Sequence, residues 1–129
     1  MGNAAKRALV IILALCGTMQ AQGYSGGWIF IAEDETREFT YEMKPKTAEL
    51  TLNAIAVIGK VDPKTVGSDV YLQKWKVHNK DCTAEYGTLY VYALDGSLLN
   101  KFSFAFGSKT VASEVAEAVC NLRNKSMTR

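Results

Sequence analysis

The chain has 129 residues, 48% of them hydrophobic and 22% charged, with 15 Lys and Arg against 13 Asp and Glu. That length and balance fit one ordinary folded domain and exclude collagen-like, low-complexity and largely disordered chains. If Lys6 and Arg7 leave with an export signal, the balance becomes 13 against 13, a neutral domain with no general attraction for polyanions, so no nucleic-acid partner is expected.

Residues 1–23 read as a secretory signal peptide. Lys6 and Arg7 form a basic start, residues 8–15 an apolar stretch, and small or polar residues follow. The apolar run fades at Gly17, Thr18 and Gln20, too early for the roughly 20 apolar residues of a transmembrane span. Cleavage is expected after Ala21 or Gly23. Leu13-Ala14-Leu15-Cys16-Gly17 offers a lipid anchor at Cys16 as the lesser route, because Leu15 is bulky where a lipoprotein signal has a small residue. The expected location is the periplasm, the cell surface or the exterior, with residues 24–129 forming a single domain.

With Cys16 assigned to the signal, Cys82 and Cys120 remain. A pair of cysteines in an exported chain predicts a disulfide, since the compartment is oxidising. The pair is spaced too widely for a redox motif, and two cysteines with the single His78 are too few for a structural metal site.

After a flexible lead-in over residues 23–27, short apolar or alternating runs separated by turn residues predict strands. Residues 28–32 form the first. The cluster Glu33-Asp34-Glu35-Thr36-Arg37 forms a solvated hairpin tip, and Phe39, Tyr41 and Met43 alternate with Thr40, Glu42 and Lys44 in the second. Pro45 is expected to end that strand, and a third is expected over 49–61. After a loop containing Pro63 and Gly67, a fourth strand over 70–78 sets Tyr71, Gln73, Trp75 and Val77 against Leu72, Lys74 and Lys76. Residues 79–84 read as a polar turn carrying Cys82. Strands over 88–94 and 98–106 flank the hairpin signal Asp95-Gly96, and Phe102, Phe104 and Phe106 predict one buried aromatic face. Thr110 caps a helix to about Asn124, with Val111, Val115, Val119 and Leu122 at helical spacing. The fold class is therefore α+β: a mainly antiparallel sheet of about six strands, a C-terminal helix packed on it and one disulfide.

Catalytic chemistry finds little support. His78 is the one histidine, and no nucleophile elbow, zinc-protease helix or phosphate-binding glycine loop occurs. The carboxylate pairs Glu33 with Glu35 and Glu114 with Glu117 read as solvated charge, and Trp28, Tyr71 and Trp75 read as core more readily than as ligand-facing rings. No cofactor, metal ligand or catalytic residue is expected.

Trp75-Lys76-Val77, Asp81-Cys82, the hairpin around Asp95-Gly96, and Val111-Ala112-Ser113 through Ala118-Val119-Cys120 together resemble the surface-adhesin E-like domains of exported bacterial proteins. The resemblance covers roughly residues 70–120. It implies an antiparallel sheet with a C-terminal helix and one disulfide, and an adhesin-like role in binding a protein or surface ligand. The expected function is thus an exported, non-catalytic binding domain of the bacterial envelope or exterior; the alternative is a small periplasmic enzyme or enzyme inhibitor.

Overall fold

The computed structural model describes residues 25–127, so the expected signal peptide and the Cys16 anchor lie outside the described residues. After a short 3-10 turn at Ser25–Gly27, period-two alternation is realised as six strands: β1 (Ile29–Glu33), β2 (Phe39–Leu50), β3 (Ala54–Pro63), β4 (Tyr71–His78), β5 (Tyr86–Tyr92) and β6 (Leu98–Ala105). Two helices complete the described residues, α1 (Asn79–Ala84) between β4 and β5, and α2 (Val111–Met127) after β6. The strands form one sheet in sequence order, every neighbour antiparallel, so each connection is local. This is the expected α+β architecture.

The register assigns one face to the core. Met43 of β2, Ile55, Val57 and Val61 of β3, and Trp75 and Val77 of β4 are buried there. Leu89 and Val91 of β5 and Phe104 of β6 continue the layer. Against it, α2 sets Val115, Ala116, Val119 and Cys120. Val111 and Leu122, at the two ends of the expected stripe, are half-buried. Thr110 caps α2 as expected: its Oγ1 accepts the Ser113 N–H at 3.1 Å, and its hydroxyl donates to Ser113 Oγ at 2.8 Å. Ser113 Oγ also accepts the Ala105 N–H at 3.1 Å, which ties the helix start to the end of β6 and satisfies a buried hydroxyl.

Several boundaries differ from the expected ones, each for a local reason. Pro45 does not end β2. Lys44 pairs with Ile58 and Glu49 with Ala56, so the residues between them bulge outward, and Pro45 sits in that bulge, where its missing N–H costs no ladder bond. The Thr47 hydroxyl holds the bulge by donating to the Lys44 carbonyl at 2.7 Å and accepting the Ile58 N–H at 2.8 Å. Glu49 and Leu50 therefore belong to β2, and β3 begins only at Ala54, after a turn closed by the Thr51 N–H on the Ala54 carbonyl at 2.8 Å.

Residues 79–84 form α1, a helix where a polar turn was expected. It ends at Glu85 in a left-handed conformation (φ 69°), whose N–H donates to the Asp81 carbonyl at 2.8 Å. The two expected hairpin turns, between β1 and β2 and between β5 and β6, are present. At 33–37, Asp34 accepts the Phe39 N–H at 2.9 Å and the Thr36 hydroxyl at 2.6 Å, bonds that hold its carboxyl below the usual range. At Asp95-Gly96, Asp95 accepts both the N–H and the hydroxyl of Ser97.

The three phenylalanines of the last hairpin do not form one buried face. Phe104 is buried, Phe106 is half-buried, and Phe102 stays 43% exposed because it lies on the edge strand beyond the reach of α2. Trp28 departs further from the core expected for it: it rests half-buried on the opposite face, beneath Lys44 and Lys60.

Candidate functional site: an aromatic cleft and an open sheet face

α2 crosses the core face but leaves one end of it uncovered. Beside its first turn, Val111, Ala112 and Val115 overhang a cleft of about 340 Å³ whose floor is Trp75, Val61, Leu89 and Val91. Tyr41, Tyr71 and Gln73 form one wall, and Leu99, Asn100 and Phe102 the other. Leu99 reaches this wall through a register shift: Val91 pairs with Asn100 and Tyr92 with Leu98, which leaves Leu99 as the extra residue of a bulge.

The cleft depends on a close packing beneath it. Trp75 is buried because it lies over Gly59; a Cβ at that position would stand 2.4 Å from the indole carbons. The indole N–H points along the wall and donates to Gln73 Oε1 at 3.0 Å. Across the cleft, Asn100 Oδ1 accepts the Lys101 N–H at 2.8 Å. Burial raises the pKa of the Tyr41 phenol, with the charge of Asp34 and the neighbouring Tyr71 adding to the shift, so Tyr41 is a neutral hydroxyl at ordinary pH.

Among the described residues, no helix crosses the other face. Pairing places Lys44, Ile58, Lys74, Tyr92 and Leu98 in one row across β2 to β6, and Glu49, Ala56, Lys76, Tyr90 and Lys101 in the next. Cations and rings are interleaved on it. Lys44 and Lys60 stand 5.6 and 4.8 Å from the Trp28 ring centre, Lys76 stands 5.8 Å from that of Tyr92, and Tyr90 stacks beside Tyr92. Lys60 also pairs with Glu42 at 2.9 Å and Lys74 with Glu49 at 3.7 Å.

Cys82 and Cys120 are joined, with Cα atoms 5.4 Å apart, so the disulfide links α1 to α2. His78 sits at the end of β4, half-buried, its ring edge-on to Tyr90 at 5.1 Å. The shallow pocket beside it is lined by Leu52, Asn53, Asn79 and Lys80, none of them an acid. Glu33 pairs with Lys64 and Arg37, and Glu117 accepts the Gly107 N–H at 3.3 Å, so neither carboxylate pair converges on His78. Among the described residues, no group of three or more His, Cys, Asp or Glu could hold a metal ion, and no helix is long and apolar enough to cross a membrane.

The cleft was not foreseen from the sequence. Its signals were the polar residues Gln73 and Asn100 on faces that otherwise read as apolar; Tyr41 and Tyr71 carried no signal apart from their strand pattern. Compared with protein-family models, with curated proteins and with solved structures, the chain matches none.

Proposed function

We propose that this chain is an exported, non-catalytic binding domain of the bacterial envelope or exterior, adhesin-like in the sense of the surface-adhesin E-like domains, and that it meets a protein or surface partner. The observation that carries the reading is the helix-free sheet face. Its rows alternate lysines with tyrosines and aliphatic side chains, and three of the lysines lie over aromatic rings. Tyrosine and tryptophan rings are what recognition surfaces favour, because they bury area with little loss of side-chain freedom, and the lysines between them favour a partner of opposite charge. The disulfide and the basic-then-apolar start of the sequence support export.

The test is retention of envelope and host-matrix proteins on the immobilised protein. Lys74→Glu with Lys76→Glu should lose the retained partner with only a small drop in melting temperature, because the Lys74–Glu49 pair and the Lys76–Tyr92 contact that it removes lie on the outer face of the sheet. His78→Ala should retain it. Turnover of a substrate by the purified protein, abolished by His78→Ala without loss of stability, would replace the binding reading with an enzymatic one.

A further inference from the structure

We propose that the cleft beside the first turn of α2 is a separate binding site for a small, uncharged, planar molecule that carries a carbonyl or ether oxygen. The occupant follows from size, charge and donor set. At about 340 Å³ the cleft falls within the range of small-molecule sites, large enough for a ligand of two or three rings and too small for a folded segment. Its surface is mainly aliphatic and aromatic, and Trp75, Tyr41, Tyr71 and Phe102 offer ring faces or edges to a flat molecule.

Among the described residues no charged side chain lines it, so a bound ion would lose its hydration without a counter-charge. An anion would fare worst, because the charge of Asp34 already acts on Tyr41 at the wall.

The polar groups specify the rest. Gln73 uses its oxygen to accept the Trp75 indole N–H, and Asn100 uses its oxygen to accept the Lys101 N–H. In each amide the oxygen is held by a bond inside the protein, while the NH₂ keeps both of its donors for a ligand. The two walls therefore ask for an acceptor on the ligand, and the Tyr41 and Tyr71 hydroxyls can complement it from one side. Leu99 and Phe102 form the outer lip; they are 54% and 43% exposed, which leaves the mouth open to solvent and to an entering molecule.

The site is independent of the helix-free face, and the two tryptophans report on them separately: Trp75 on the cleft and Trp28 on the other face. The experiment titrates the purified, disulfide-bonded protein with acetylnaphthalene, naphthalene and naphthoate, following both indole N–H resonances by NMR. Acetylnaphthalene should shift the Trp75 signal saturably while Trp28 stays in place. It should bind about tenfold more tightly than naphthalene, which lacks the acceptor, and more tightly than naphthoate, which carries a charge. Phe102→Ala should weaken it several-fold with little change in melting temperature, since that ring is half in solvent. The Lys74→Glu, Lys76→Glu variant should bind it as the parent does, so failure of this site and failure of the partner-binding face are read separately. A Trp75 signal that does not saturate, equal affinity for all three probes, a shift confined to Trp28, or an unweakened Phe102→Ala would each overturn the proposal.

Discussion

Gly59 and Trp75 set both the core and the cleft by a single contact. Indole carbons of Trp75 lie where a side chain on Gly59 would begin, so a methyl there must push the ring off its seat toward the cleft above it. Gly59→Ala should therefore destabilise the protein by about 1 to 3 kcal/mol through overpacking, read as a lower denaturant midpoint at unchanged slope. The same substitution should move the Trp75 indole N–H resonance, since displacing the ring strains its bond to Gln73. A second close approach occurs at Gly87, where the Asp81 side chain lies against the backbone and its Oδ2 accepts the Thr88 N–H at 3.3 Å. Both glycines were visible in the sequence, but neither announced its partner: a glycine in a strand marks a close approach without saying what approaches.

At the scale of elements, legibility followed the strength of the local pattern. β4 and α2 stand almost where their periodicities placed them, because Trp75 and Val77 alternate with lysines and the α2 valines recur at helical spacing. α1 was missed because six residues with one buried side chain, Cys82, carry no period to read. The long β2 was cut at Pro45 because a proline inside a strand pattern argues for an end unless a bulge is known, and of the two Thr47 bonds that hold the bulge, the one to Ile58 reaches across eleven residues. The cap of α2 was legible and can be tested. Thr110→Ala removes the acceptor of the Ser113 N–H and one partner of Ser113 Oγ, so it should cost about 0.5 to 2 kcal/mol, measured by chemical unfolding. Thr110→Ser keeps the oxygen and should restore most of that loss.

At the scale of the whole sheet, six strands in sequence order leave two edges and two faces, and two of these, the β6 edge and the core face, are closed by different means. On the β6 edge, the Lys101 N–H is taken by Asn100 and the Ala105 N–H by Ser113, which blunts the strand as a template for pairing. On the core face, α2 returns from β6 to pack as far as β1, so the last element in the chain closes over the first strand. The disulfide fastens this closure at α1, 38 residues away in sequence. Cys120→Ser should lower stability by about 2 to 5 kcal/mol, the usual cost of losing such a bridge in a small exported domain. Its effect should be uneven. β3 and β4 are held by pairing on both sides, whereas α2 is held by packing and by the bridge, so hydrogen exchange in the variant should quicken most along α2 and least at Val57 and Val77. Because Val111, Ala112 and Val115 roof the cleft, the same loosening should weaken acetylnaphthalene binding while the Trp28 resonance on the helix-free face stays in place. Uniform acceleration across helix and sheet would instead mean that the domain opens as one unit, with the bridge acting only on the unfolded chain.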